Sequence, residues 1–143
     1  MHVRVTSIGL EIWAPAKLNL FLEVLAKRAD GFHEIETLMV PIDLYDTLCF
    51  CVSPRCRKES DVQIELVSGW ASPAAQPAAC REMPLPEGEG NSVVRALELL
   101  RRHCNVRTGA SVRLVKRIPV AAGLAGGSSD AAAALVAGNI GWK

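Results

Sequence analysis

The sequence predicts an α+β layer, and three features of its pattern carry that expectation. Apolar residues alternate in several short runs before residue 70, the period changes to that of a helix at Asn91, and an alanine-rich stretch follows a last alternating run near the C-terminus. At 143 residues, half of them apolar, the chain has the size and composition of one domain with a real core.

The elements follow in order. Ala16, Leu18, Leu20, Leu22 and Val24 alternate, so residues 16–25 are expected as a strand with that set turned to the core and with Lys17 and Asn19 together on the other face. Asp30-Gly31 is a turn signal, and Phe32–Val40 alternates again as a hairpin-like return that Pro41 interrupts. Two further short strands are expected at Thr47–Val52 and Val62–Val67, the second with Val62, Ile64 and Leu66 on one side. Residues 69–90, broken by prolines and glycines and ending in Glu87-Gly88-Glu89-Gly90, read as an exposed loop. With Asn91 or Ser92 as N-cap, Val93, Leu97 and Leu100 share one face of a helix running to about Cys104. Gly109 resets the chain, and Val112, Leu114 and Ile118 alternate in a strand that ends at Pro119. Ser128-Ser129-Asp130 then opens an alanine-rich helix ending near Gly138, whose small side chains suit close approach to a sheet.

Sixteen basic and 15 acidic residues leave a formal net charge of +1. No large field favours nucleic acid or an anionic membrane, so any phosphate binding is local. The N-terminus lacks a basic stretch followed by an apolar run, and Lys17, Asn19, Glu23 and Lys27 interrupt the longest apolar passages; a soluble, cytoplasmic protein with no membrane partner is expected. Cys49, Cys51, Cys56, Cys80 and Cys104 form an odd set without a C-x-x-C pair, which suits neither a disulfide framework nor a standard zinc site. Ordinary thiols and no metal site are expected; the alternative, a metal on Cys49, Cys51 and Cys56, lacks a well-spaced fourth ligand.

The segment Pro119-Val120-Ala121-Ala122-Gly123-Leu124-Ala125-Gly126-Gly127-Ser128-Ser129 joins a strand to a helix start. Its glycines leave backbone N–H groups uncovered, and those groups, two hydroxyls and the positive end of the following helix favour phosphate. Composition alone leaves tight turning and close packing as an equal reading. A Walker-type loop is excluded because no Lys-Ser/Thr pair closes a G-x-x-x-x-G, and a dinucleotide fold because there is no G-x-G-x-x-G.

What remains resembles the phosphate loop of the GHMP kinases, P-x-x-x-G-L-(G/A)-x-S-(S/A), through Pro119, Gly123, Leu124, Ala125, Ser128 and Ser129. Three more passages resemble the branch of that family whose substrate is a cytidine-diphosphate-linked methylerythritol: Ala14-Pro15-Ala16-Lys17-Leu18-Asn19-Leu20, Arg28-Ala29-Asp30-Gly31-Phe32-His33, and Asn91-Ser92-Val93-Val94-Arg95-Ala96. The resemblance covers nearly the whole chain except residues 53–90.

The resemblance implies a ribosomal S5 domain 2-like N-terminal domain over residues 1–143, with the family's ferredoxin-like C-terminal domain absent and the chain cut rather than naturally finished. It implies ATP and Mg²⁺ as cofactors and phosphorylation of the substrate's 2-hydroxyl, in the non-mevalonate route to isoprenoids. Lys17 would be catalytic, supplying positive charge near that hydroxyl, with Asn19 beside the substrate. Phe32 would stack on cytosine and His33 hydrogen-bond it. Asn91 and Lys116 would flank the adenine nucleotide, and Pro119, Val120, Ala121, Ala122, Gly123, Leu124, Ala125, Gly126, Gly127, Ser128 and Ser129 would wrap its phosphates. Lys116 falls in the buried register of Val112, Leu114 and Ile118, a charge there needs a partner, and ATP would provide one. The family's proton-accepting aspartate lies in a segment this sequence does not contain, and Asp130 is not its substitute; little or no turnover is expected. Exposed apolar surface, with self-association, is expected where a second domain would sit. Two alternatives stay open: another member of the family, of the homoserine or mevalonate type, and a non-catalytic S5-like module binding nucleotide or RNA.

Overall fold

A computed structural model describes residues 1–55, 62–71 and 84–143. Five strands form one sheet: β1 (His2–Thr6), β2 (Gly9–Lys27), β3 (His33–Arg55), β4 (Ile64–Trp70) and β5 (Thr108–Lys116). Their order across the sheet is β1-β2-β3-β5-β4, antiparallel throughout except for the parallel pair β4 and β5. Helices α1 (Ser92–His103) and α2 (Gly126–Gly141) pack against each other, and α2 lies against β2 and β3, which makes the α+β layer that the pattern predicts.

The core forms where alternating strand residues meet small helical ones. Leu10, Ile12 and Ala14 of β2, Leu48 and Phe50 of β3, and Ala110, Val112 and Leu114 of β5 face Val93 and Leu97 of α1 and Ala133, Ala134 and Ala137 of α2. Small residues on α2 permit the close approach expected of them: a methyl group added at Gly138 would lie 2.9 Å from Leu100 Cδ2 and 3.1 Å from Leu97 Cδ2, and one at Gly141 would lie 2.6 Å from Phe50 Cε1.

Several boundaries differ from the expectations. Residues 2–6 and 9–15, which the sequence reading passed over, pair as an N-terminal hairpin, and the expected strand 16–25 is the distal half of a 19-residue strand. Pro41 does not end its strand. It pairs with Lys17 beside a bulge at Pro15–Lys17, on a stretch of β3 that among the described residues is flanked by a strand on one side only, where a missing N–H is tolerated. Gly109 sits inside β5 rather than resetting the chain, because any side chain there would collide with the Gln63 carbonyl. Ile118 is fully buried but lies beyond the strand end at Lys116. Gly69 and Trp70, read as loop, end β4, while the remainder of that loop from 72 to 83 lies outside the described residues.

The largest correction concerns the alternating set on β2. Ala16 is buried, but Leu18, Leu20, Leu22 and Val24 are exposed, as are Ile35, Leu38 and Met39 on β3. Beyond Lys17 the two strands run on as a hairpin arm whose apolar side chains stay exposed among the described residues; the sequence period specifies a strand but not what covers its face. At the tip the Asp30-Gly31 turn forms as expected, with Gly31 at φ +87, Asp30 Oδ1 accepting from the Phe32 N–H at 3.1 Å, and Arg28 paired to Asp30 at 2.8 Å.

Among the described residues Cys49, Cys51 and Cys104 are free thiols, and no three His, Cys, Asp or Glu side chains gather to hold a metal; Cys56 lies outside the described residues. Burial, then the neighbouring Glu11, pushes the Cys49 thiol up against the opposing pull of Arg113. No helix among the described residues is long and apolar enough to cross a membrane.

Candidate functional site

The connection from β5 to α2 forms one wall of a cleft of about 760 Å³, a volume suited to a nucleotide-sized ligand. Pro119–Ser128 line it, with Asn91 and Ser92 from the start of α1, Ser68 from β4, and Lys116 and Asp130 at its base. Two helix N-termini therefore meet at one hollow. They are joined by a hydrogen bond from Ser92 Oγ to the Gly127 carbonyl at 2.9 Å.

Each helix start has a local cause. Asn91 caps α1, its Oδ1 accepting from the Val93 N–H at 2.9 Å while its amide nitrogen donates to the Pro86 carbonyl at 2.9 Å. Helix α2 begins at Gly126, two residues before the expected Ser128, because the turn itself supplies the first helical turn. Its N-cap, Ala125, offers no side-chain acceptor and stands at φ +57. Ala121 and Gly123 also have positive φ, at +58 and +74, so positive φ recurs at every second position of the turn. Left-handed alanine costs on the order of 1 kcal/mol and persists only where the surroundings impose it.

The amides of this turn are uncommitted. Among the described residues, none of the N–H groups from Val120 to Ser128 donates to a backbone or side-chain acceptor, and only at Ser129 does the helical ladder begin, donating to the Ala125 carbonyl at 2.9 Å. Ser129 accordingly stands apart from the lining set. A Cβ at Gly123 would meet nothing within 4 Å, so the space in front of the turn is open.

Beneath the turn lies a buried ion cluster that sequence reasoning missed. Lys116 is 4 % exposed, and its Nζ donates to Asp46 Oδ2 and, at 2.6 Å, to Asp130 Oδ2. Asp46, fully buried, also accepts the Arg117 N–H at 2.5 Å and the Ile118 N–H at 2.9 Å on Oδ1. The charge of Lys116 is therefore matched from within the protein, which corrects the expectation that a nucleotide must match it. Asp130 Oδ1 has no hydrogen-bond partner among the described residues, and burial, reinforced by the nearby Asp46, raises the Asp130 carboxyl to about 7 against the pull of Lys116. Asp46 gave one usable signal, a carboxylate at an inward position between Leu44 and Leu48.

The remaining candidates lie outside the cleft lining. Lys17 Nζ donates to Asn19 Oδ1 at 3.1 Å, so those two do share a face, and the Lys17 N–H donates to the Leu124 carbonyl at 3.1 Å. Phe32 and His33 stand exposed at the arm's tip, where His33 pairs with Lys27, ~30 Å along the strand from Lys17. The structure thus brings Asn91, Lys116 and Pro119–Ser128 together, hangs Lys17 and Asn19 on the turn's flank, and leaves Phe32 and His33 apart.

A sequence profile described as "GHMP kinases N terminal domain" matches residues 91–143, the stretch holding both helix starts and the turn. Over 130 residues the chain is 49% identical to the 4-diphosphocytidyl-2-C-methyl-D-erythritol kinase of Pelotomaculum thermopropionicum, which covers 91% of this chain and 39% of that protein. The chain belongs to the GHMP kinase family. A second relative of this GHMP domain, the kinase of the same name from Synechococcus sp., is 44% identical over 134 residues, 93% of this chain and 38% of its own length. A crystal structure of 4-(cytidine 5'-diphospho)-2C-methyl-D-erythritol kinase superposes with a TM-score of 0.62 at 35% identity, over 92% of this chain and 40% of the other. Homoserine kinase from Cytophaga hutchinsonii superposes with a TM-score of 0.61 at 14% identity, over 98% of this chain and 37% of that one, a likeness of fold alone. The GHMP chain spans about two fifths of the length of the curated relatives it matches.

Proposed function

We propose that residues 1–143 are the N-terminal, ATP-binding domain of a small-molecule kinase, of the ribosomal S5 domain 2-like class, which phosphorylates the 2-hydroxyl of 4-diphosphocytidyl-2-C-methyl-D-erythritol in the non-mevalonate route to isoprenoids. One observation carries the reading. Nine consecutive amides, Val120–Ser128, have no acceptor among the described residues, and the turn bearing them opens a nucleotide-sized cleft at two helix N-termini. Phosphate oxygens are strong acceptors for such donors, and the positive ends of two helices favour their charge.

In this reading Val120–Ser128 hold the phosphates of ATP, accompanied by Mg²⁺, and Asn91 and Ser92 border the nucleoside. ATP supplies the phosphoryl group. Lys17, fastened to Leu124 through its own amide, brings an ammonium to the turn's flank and lowers the proton affinity of a nearby hydroxyl. Asn19 orients the lysine from 3.1 Å. Phe32 offers a stacking face and His33 a hydrogen bond to cytosine. Among the described residues Lys17 has no carboxylate partner to accept a proton, so the chain as given binds ligands with little or no turnover.

Calorimetric titration of ATP and CDP onto the purified chain tests the assignment. Both bind, and His33→Ala weakens CDP while leaving ATP unchanged. CDP affinity untouched by His33→Ala overturns the cytosine assignment, and no measurable ATP binding overturns the kinase reading.

A further inference from the structure

Asp46 does not line the cleft, yet it is bonded to both ends of the turn's foundation. Its Oδ1 accepts the backbone N–H groups of Arg117 and Ile118, the two residues that precede Pro119. Its Oδ2 accepts Lys116 Nζ, which reaches on to Asp130 Oδ2 at 2.6 Å, just inside α2. Two acidic side chains and one ammonium, all buried, thereby tie β3, β5 and α2 together where the turn begins and where it ends.

Stability alone is a poor reason for such a cluster. Removing charges from water costs several kcal/mol each, and well-packed apolar residues of similar volume often do as well or better. What the ions supply is fixed geometry. Ala121 and Ala125 hold positive φ in a turn whose amides from Val120 to Ser128 find no acceptor among the described residues, a conformation that relaxes unless both ends are held.

We propose that Asp46 is the positioning residue of the phosphate-binding turn: it sets the turn's entry through two backbone N–H groups and its exit through the Lys116–Asp130 bridge, and so sets ATP affinity without touching the nucleotide. The proposal rests on the reading of the cleft as an ATP site. Charge and hydrogen-bond geometry act together here, as a carboxylate can accept from two amides and an ammonium at once.

The test compares Asp46→Ala and Asp46→Asn by ATP and CDP titration. Asp46→Ala loses roughly tenfold or more in ATP affinity and keeps CDP affinity, while Asp46→Asn, whose carboxamide oxygen accepts both amides but whose Nδ2 cannot accept from Lys116, recovers part of the loss. Wild-type ATP affinity in Asp46→Ala, or an equal loss of ATP and CDP that Asp46→Asn does not recover, overturns the proposal. If Asp46→Ala does not fold, amide hydrogen exchange of the wild-type chain decides. Arg117 and Ile118 are then protected before ATP is added and Val120–Ser128 only after; protection of Arg117 and Ile118 appearing only with ATP makes the nucleotide, not Asp46, the organiser. A wild-type chain that binds no ATP removes the ATP reading and this proposal with it, whereas unchanged binding in Asp46→Ala removes this proposal alone.

Discussion

The backbone N–H of Lys17 donates to the carbonyl of Leu124 across 3.1 Å, fastening the strand that carries the candidate catalytic lysine to the crown of the glycine-rich turn. The bond crosses more than a hundred residues of sequence at the bulge between Pro15 and Lys17, where β2 leaves its regular register. A bulge that re-aims a strand beside a ligand cleft is a recurrent device, and here it gives Lys17 two ties, one to the turn and one to Asn19.

Gly126 separates the turn from the ion cluster. A methyl group there would lie 2.9 Å from Ile118 Cγ2 and 3.2 Å from Lys116 Nζ. Gly126→Ala is expected to destabilise the fold by about 1–3 kcal/mol in urea titration and to weaken ATP binding. Gly127→Ala, whose Cβ would meet only Ser92 Oγ at 3.7 Å, is expected to be milder.

The cap of α1 makes a separable contribution. Asn91→Ala removes both the acceptor for Val93 and the donor to Pro86, and is expected to cost about 1 kcal/mol by equilibrium denaturation. Asn91→Asp keeps the acceptor for Val93 but sets an oxygen against the Pro86 carbonyl, and is expected to recover only part of that stability.

Stability should vary with pH through Asp130. Its carboxyl ordinarily titrates at 3.8 and in the fold at about 7, so between those values the folded chain keeps a proton that the unfolded chain has released. This contribution is full below pH 4, declines as pH rises toward 7, and is absent above it. Asp130→Asn, which replaces the protonated carboxyl with a neutral amide, flattens that decline; denaturation midpoints measured from pH 4.5 to 8 check it.

Much of this was legible in the sequence. The α1 face of Val93 and Leu97, the Asp30-Gly31 turn and the partnership of Lys17 with Asn19 follow from local periodicity and turn chemistry, which tertiary contacts here reinforce. The arm and the ion cluster do not. Alternation from Leu18 to Val24 is the same whether or not a layer covers that face, and Lys116 can be seen to need a countercharge without showing that Asp46, 70 positions away, supplies it.

Leu18, Leu20, Leu22 and Val24 leave an apolar arm in water, and concentration-dependent self-association is the expected consequence. Sedimentation of the wild-type chain beside a Leu20→Gln, Leu22→Gln variant checks it, the variant remaining smaller at equal concentration.

A phosphate cradle built from the amides of Val120–Ser128 implies that each of them responds when a nucleotide binds. Titrating MgATP into ¹⁵N-labelled chain and following each amide resonance tests it most directly. Saturable shifts concentrated at Val120–Ser128 are expected, with Ser129 and the strand residues of β5 nearly still. Resonances of Val120–Ser128 that stay in place at millimolar MgATP would contradict it.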